Sequence, residues 1–342
     1  MFASDISIDL GTATMQVYVK SKGIVLSEPT VIAVNHKKNK VCAVGNSALE
    51  MLGKTPPFID AVRPLSDGVI SSFTLCMEMI KAFLSKILSR SVGRPRIMMC
   101  VPSGVTNVEQ RAVIDAAREV GAKDIFIIEE PVAAALGAGI DISKPKGTLV
   151  VDIGGGTTDI AVISLGGVVI SRSLKIAGDE FSEAIIRYMK KTHGLNIGYG
   201  SAQNLKHKIG TVVPSDSETM FTVKGLSIIE GLPASVTVSS NDICTIFDDL
   251  VYNITERIRE VLEKTPPELH RDIIDEGILL TGGGALIGGL DERIAQAVGV
   301  KVKRADDIVN CVVKGAAKAL SLIKDDDTDT THHYYKKAYI RD

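Results

Sequence analysis

The chain of 342 residues reads as an α/β protein built from two related sheet-and-helix halves that face each other across a cleft. Three observations predict this. First, Ile6-Ser7-Ile8-Asp9-Leu10-Gly11-Thr12 and Leu149-Val150-Val151-Asp152-Ile153-Gly154-Gly155-Gly156-Thr157-Thr158 share one pattern: an apolar strand, an Asp, a Gly/Thr turn and a second strand. Second, helical periodicity follows each hairpin. Third, a polar Pro/Gly stretch, Ser143-Lys144-Pro145-Lys146-Gly147, separates the two. The repeat reads as an internal duplication, with halves at 1–145 and 146–323.

In the first half, Met15-Gln16-Val17-Tyr18-Val19 alternates as the return strand of the hairpin. Thr30 to Leu52 is strand-rich and reads as a smaller excursion. Val108 to Val120 carries apolar residues at a period near 3.6 and stops at Gly121, the usual mark of a helix end. Phe126-Ile127-Ile128 runs as a strand into Glu129-Glu130-Pro131, with Pro in the first turn of a helix made of Ala133-Ala134-Ala135-Leu136-Gly137. Its small residues let that helix pack closely on a neighbour, as a hinge between halves requires.

In the second half, Ile160 to Ile163 is the return strand, Phe181 to Met189 and Ile246 to Leu262 are helical, and Pro214 to Ser239 is a strand-rich excursion. Gly277 to Leu280 reads as a buried strand entering Thr281-Gly282-Gly283-Gly284 and then a helix. Residues 324–342 are polar, with Asp325-Asp326-Asp327 and His332-His333-Tyr334-Tyr335, and are expected to form a mobile tail.

Composition narrows the function. With 39 Lys and Arg against 41 Asp and Glu, the net charge of -2 lacks the basic footprint of a nucleic-acid binder, so no nucleic-acid partner is expected. Five widely spaced cysteines with no CxxC speak against a disulfide framework or a zinc site and for a reducing compartment. The start, Met1-Phe2-Ala3-Ser4-Asp5, has no signal-peptide character, and no stretch approaches the roughly 18 apolar residues of a membrane span. A cytoplasmic location is expected. The patterns GxxxxGK[ST], GxGxxG, HExxH and GxSxG are absent, which removes the main support for P-loop, dinucleotide, zincin and serine-hydrolase readings.

Gly- and Thr-rich turns can aim backbone N–H groups at phosphate oxygens, because glycine permits close approach. Two such turns facing each other would grip a phosphate chain. Asp9, Gly11, Thr12, Ala13 and Thr14 stand on one side, and Asp152, Gly154, Gly155, Gly156 and Thr158 on the other. Asp9 and Asp152, at strand ends, suit Mg²⁺ held through water, since this ion takes few direct protein ligands. The run Gly282, Gly283, Gly284, Ala285, Leu286, Ile287 begins with three residues lacking Cβ atoms, so a flat base or ribose can lie on the backbone. One glutamate of the pair Glu129-Glu130 at a strand end, with Thr157, would orient a water in line with a terminal phosphate, a positioning role rather than strong-base catalysis.

Asp9-Leu10-Gly11-Thr12, Asp152 to Thr158, Glu129-Glu130-Pro131-Val132-Ala133-Ala134-Ala135 and Thr281-Gly282-Gly283-Gly284 resemble the phosphate, hinge and adenosine motifs of the actin, Hsp70 and sugar-kinase superfamily. Within it the chain resembles the MreB family of bacterial actins, most of all its Mbl branch. The carrying stretches are Gly23 to Pro29, Val62 to Ile70, Ile176 to Phe181 and Lys264 to Leu269, and the resemblance runs from about Asp5 to about Ile323. It implies an actin-like two-domain ATPase fold with small subdomains at about 31–77 and 181–242. It implies ATP/ADP and Mg²⁺ as cofactors, and slow hydrolysis coupled to polymerisation into paired protofilaments. It also implies filaments at the inner face of the cell membrane that guide wall synthesis with transmembrane partner proteins in rod-shaped cells. By motif, Glu130 and Thr157 would position the hydrolytic water, and Gly178, Asp179 and Gly282 to Ile287 would line the nucleoside side. Asn204, Leu205, Lys206 and His207 would approach ribose or adenine.

The chain departs from the family pattern at Thr14 (for Asn in the first loop), at Ser72 (for an acidic residue) and at Gln203-Asn204 (for Ala-Glu). Met1-Phe2 is too short for an amphipathic anchor helix, so the segment Leu88 to Arg96, with Val92 and Arg90, Arg94 and Arg96, is the expected membrane contact. Two other functions share the superfamily. A small-molecule kinase needs an acceptor pocket with its own base, for which no extra acidic motif is found. A chaperone of the Hsp70 type needs a substrate domain, and only about twenty residues follow the core.

Overall fold

The computed structural model describes residues 5–66, 69–88, 94–323 and 336–337. Two sheets organise it. The first contains β1 (Ile6–Leu10), β2 (Thr14–Val19), β3 (Gly23–Pro29), β4 (Arg96–Val101) and β5 (Asp124–Glu129) in the order β3-β2-β1-β4-β5. The second contains β6 (Thr148–Ile153), β7 (Thr158–Ser164), β8 (Gly167–Leu174), β9 (Ile278–Thr281) and β10 (Val302–Arg304) in the order β8-β7-β6-β9-β10. In both, the first three strands form an antiparallel meander and the last two join in parallel. The duplication read from the two hairpins therefore extends through each whole sheet.

Alternation along the strands shows how the layers stack. Ile6 and Ile8 of β1 and Ile97 and Met99 of β4 face an outer core with the helices Phe73–Leu88 and Asn107–Glu119. Met98 and Cys100 face the other way. There they meet Val150, Ala161 and Ile163 of the second sheet across the helices Glu130–Gly137 and Cys311–Leu322. Leu149, Val151 and Ile153 face a second outer core with the helices Gly178–His193, Ser240–Glu263 and Leu290–Val298. Sheets covered on both faces explain the near-continuous apolar reading of the Leu149 strand.

The two central helices cross where both are smallest. A Cβ placed on Gly315 would collide with the Ala133 carbonyl, and one on Gly137 with the carbonyl of Cys311. The Ala/Gly run thus serves the close approach expected of a hinge. The helix Cys311–Leu322 also returns to the first sheet, where Ser7 Oγ donates to Val313 O at 2.9 Å. A boundary that assigns everything from 146 to 323 to the second half gives that half a helix whose packing both halves share.

Each half carries a small three-stranded sheet: Lys40–Val44, Ile32–Asn35 and Ile59–Val62 in the first, Leu195–Asn196, Met220–Ser227 and Pro233–Ser239 in the second. The helix read as Val108 to Val120 spans Asn107–Glu119, closed at its start by a reciprocal Thr106/Glu109 cap. The Gly-rich strand exit at Thr281 does not enter an α-helix directly. Gly283–Leu286 forms a 3₁₀ turn, and the α-helix begins only at Leu290.

Of the expected membrane segment, 89–93 lie outside the described residues, and the remaining arginines are engaged. Arg96 grips both carboxylate oxygens of Asp5, at 2.8 and 2.7 Å, and donates to Ile323 O at 3.0 Å. Arg94 donates to the carbonyls of Gly121 and Ala122. Arg96 therefore braces the first sheet and is not a free surface charge. Nearly all of the tail also lies outside the described residues; Lys336–Lys337 pairs antiparallel with the edge strand β5.

Candidate functional site

The tips of the two hairpins meet between the halves. A Cβ on Gly155 would collide with that of Ala13, and one on Gly156 would come within 2.7 Å of Thr12 Cγ2. Only glycine allows this approach. The tip carbonyls are taken by neighbours. Thr30 donates its N–H to Ala13 O and its hydroxyl to Gly11 O, while the N–H groups of Gly178 and Asp179 reach Gly154 O and Gly155 O at 3.1 and 2.7 Å. Because the C=O and N–H of a peptide unit point in opposite directions, carbonyls tied back in this way leave the amide side of each tip for an oxyanion.

Alongside the tips runs a cleft of about 480 Å³, lined by Asp9, Gly11, Ala13, Thr14, Asp152, Gly154, Gly155, Gly178, Asp179, Lys206, His207, Gly282, Gly283, Gly284, Leu286 and Ile287 among the residues expected from sequence. That volume is in the range of small-ligand sites. On the far side of the tips a cavity of about 60 Å³, enough for a few waters, is lined by Thr12, Gly156, Thr157 and Glu130. The two expected water-positioning residues thus share one small chamber, separated from the main cleft by the turns.

Four carboxylates gather beneath. Burial, then the charge of Asp152, raises Asp9 to about 7. Burial, then Asp152, raises Asp159 to about 7, against hydrogen bonds from Ser173, Thr157 and Ser103 that favour the anion. Burial raises Asp152, although Thr281 Oγ1 donates to its Oδ1 at 2.7 Å. Burial, then Asp159, Asp9 and Asp152, holds Glu130 well above the carboxylate range. Buried carboxylates crowded together in this way call for a cation. No three His, Cys, Asp or Glu side chains converge on a metal position among the described residues. The donor set instead suits a hydrated Mg²⁺ that draws further ligands from phosphate and water.

Above the cleft, Arg63 of the first half reaches across to the second. It lies 3.8 Å from Asp179 and stacks on the Tyr199 ring, 4.6 Å from its centroid. Tyr199 OH donates to Asp179, and Lys206 Nζ donates to Gly178 O. Burial lowers Lys206 to about 8, opposed by Asp179.

Four expected residues lie off both cavities. Thr158 is fully buried, its hydroxyl donated to Ile176 O at 2.6 Å. Leu205 and Ala285 are fully buried in the second core, and Asn204 is exposed on the far side of its helix. The consecutive block 204–207 ignored helical period. Gln203, Lys206, His207 and Gly210 face the cleft, at spacings i, i+3, i+4 and i+7.

Gln16, Val309 and Val312 also line the cleft without having been expected. Gln16 and Asp159 were legible by counting the hairpins, since each stands opposite the key aspartate in register, Asp9↔Gln16 and Asp152↔Asp159. Val309 and Val312 had no local signal.

Comparison with known proteins agrees with this geometry. The family model described as MreB/Mbl protein matches residues 3–328. The chain is 45% identical over 329 residues to the cell shape-determining protein MreB of Escherichia coli (strain K12), covering 94% of this chain and 95% of that one. It is equally identical, 45% over 321 residues, to the cell shape-determining protein Mbl of Bacillus subtilis (strain 168), covering 94% and 96%. Among solved structures, MreB5 of Spiroplasma citri bound to ADP superposes with a TM-score of 0.88 at 40% identity, covering 92% of this chain and 95% of that one. The same protein has also been solved bound to AMPPNP, with a TM-score of 0.87. On its match over residues 3–328, its two duplicated sheets and its paired Gly/Thr hairpin turns, the chain belongs to the MreB/Mbl family of actin-like proteins.

Proposed function

We propose that this chain is a cell-shape protein that binds ATP and ADP with Mg²⁺ in the inter-half cleft, hydrolyses ATP slowly, and assembles into filaments of paired strands on the inner membrane surface. The observation that carries the nucleotide reading is the pair of hairpin tips touching at Gly155 and Ala13, with the buried carboxylates of Asp152, Asp159 and Glu130 and the half-buried one of Asp9 gathered beneath them. Relatives solved with ADP and AMPPNP support it.

Bound Mg²⁺ would neutralise the phosphates and the Asp9/Asp152 pair, and the remaining work falls to the chain. Tip amides hold the phosphate chain in place. Glu130 and Thr157, in the small chamber behind the tips, hold a water on the far side of the terminal phosphate. Burial and the neighbouring carboxylates hold Glu130 above the usual carboxylate range, which suits it to orient such a water. Gly282 to Gly284, Leu286, Ile287, Lys206 and His207 provide the nucleoside side.

Sedimentation with Mg-ATP, with and without anionic liposomes, with phosphate release followed in the same sample, tests the whole reading. ATP-dependent pelleting with slow release and liposome co-sedimentation is expected. Fast, acceptor-dependent phosphoryl transfer without pelleting would replace it by a kinase of the same superfamily.

A further inference from the structure

Gln16 is a polar side chain of the cleft that the phosphate and nucleoside motifs do not include. It is 2% exposed, lines the cleft, and stands directly across from Asp9 in the first hairpin. Directly opposed residues of an antiparallel pair have Cβ atoms about 5 Å apart on the same face. Its Oε1 is buried and has no hydrogen-bond partner among the described residues.

The amide orientation is fixed from behind by a chain of donors. Lys314 Nζ donates to Asp307 Oδ2, and Asn310 Nδ2 donates to Asp307 Oδ1 at 2.7 Å. Asn310 must then offer its carbonyl inward, where it accepts from Gln16 Nε2 at 2.8 Å. Ser27 Oγ lies 3.5 Å from the same nitrogen. A carboxylate held by a lysine can only accept, so each amide in the sequence is turned one way, and Gln16 is left with an acceptor as its free atom.

An acceptor does not suit phosphate oxygens, which are acceptors too. Beside Asp9 it suits a donor that a carboxylate also attracts. We infer that Gln16 Oε1 is an additional anchor for the hydration shell of a divalent cation bound with the nucleotide, set in place by Asn310 and Asp307. This rests on the nucleotide reading above.

The test is the Mg²⁺ dependence of ADP binding, followed by fluorescence of a labelled ADP in EDTA and across a Mg²⁺ titration. Wild-type protein is expected to bind ADP more tightly as Mg²⁺ is added. Gln16→Leu is expected to raise the Mg²⁺ concentration at half-effect about tenfold while leaving ADP affinity in EDTA within twofold. Gln16→Glu, which keeps an acceptor there, is expected to need no more Mg²⁺ than wild type. Asn310→Ala, which frees the amide to rotate, is expected to shift the titration in the same direction as Gln16→Leu by a smaller factor, and keeps the inference testable if the leucine variant does not fold.

An unchanged Mg²⁺ titration in Gln16→Leu overturns the inference. So does an equal loss of ADP affinity with and without Mg²⁺, which would make Gln16 a contact to the nucleotide itself. Failure of the wild-type protein to bind ADP under any condition overturns the nucleotide reading first, and this inference with it.

Discussion

Asp159 of the second half accepts a hydrogen bond from the backbone N–H of Ser103 in the first half, at 3.1 Å, while standing in register opposite Asp152. One buried carboxylate therefore neighbours the cleft-lining Asp152 and also belongs to the seam between the halves. The charge of the carboxylate cluster and a contact between the halves meet at this residue.

The raised carboxylates make stability and cation binding depend on pH in opposite senses. Asp9 and Asp159 lie near 7 in the folded protein against 3.8 for an ordinary aspartate, so between those values the folded chain holds protons that the unfolded chain has lost. Without nucleotide, stability is expected to fall as pH rises from about 4 to about 7 and then to level. Mg²⁺-nucleotide binding needs the anions and is expected to strengthen over the upper part of that window. Asp9→Asn is expected to flatten both trends and to raise the nucleotide-free Tm by roughly 2–4 °C. Thermal melts from pH 5.5 to 8, with and without Mg-ADP, check this, and parallel pH slopes in wild type and variant would refute it.

Removing Glu130 or Thr157 separates chemistry from binding. Glu130→Ala and Thr157→Ala are each expected to slow phosphate release by about 10²-fold or more, with ATP affinity kept within about threefold. Both side chains line the chamber behind the hairpin tips and neither lines the main cleft. Single-turnover release together with equilibrium binding measures the split. A proportional loss of both would assign them to nucleotide binding.

Arg63 closes the top of the cleft through Asp179 and Tyr199, with its guanidinium mostly buried. Arg63→Ala is expected to speed nucleotide release about 3–10-fold, the range of one partly buried ion pair with a cation–π contact. Stopped-flow displacement of labelled ADP measures it, and an unchanged off-rate would mean the contact does not limit exit.

At the crossing of the central helices, Gly315→Ala would drive a methyl into the Ala133 carbonyl. Both partners are backbone, so neither can swing away, and a cost of about 2–4 kcal/mol is expected. A Tm within 1–2 °C of wild type would show that the helices separate easily.

Arg111 is exposed on the helix Asn107–Glu119, whose opposite side buries Val113, Ile114, Ala116 and Ala117. With Val108 79% exposed beside it, this outward face is open to contact between the paired protofilaments proposed above. Arg111→Glu is expected to yield single filaments by electron microscopy with nucleotide affinity unchanged. Intact double filaments would move the contact elsewhere.

Features set by a few neighbouring residues were legible in the sequence. The hairpin pattern around Asp9 and Asp152 is local, because a strand, a tight turn and a return strand need only alternation and glycine; the duplication and the facing Gly/Thr turns followed from it. The Ala/Gly run after Glu130 likewise announced a close helix contact. What failed locally was phase. Asn204 and Leu205 were grouped with Lys206 and His207 by adjacency, whereas a helix turns about 100° per residue and presents Gln203, Lys206, His207 and Gly210 together. Which face of that helix meets the cleft is decided by Leu205 packing into the second core.

Tertiary structure alone decided the contacts that join distant parts of the chain. Ser103 with Asp159, Arg63 with Asp179, Arg96 with Asp5, and Asn310 with Gln16 are separated by 56 to 294 residues, and no periodicity or motif connects them. The elevated carboxylates belong to the same class. An aspartate at the end of a strand is ordinary until two sheets close over it, exclude water and set it beside three others. The sequence supplied the acids and the turns, and burial between the halves gave them a shared charge to resolve.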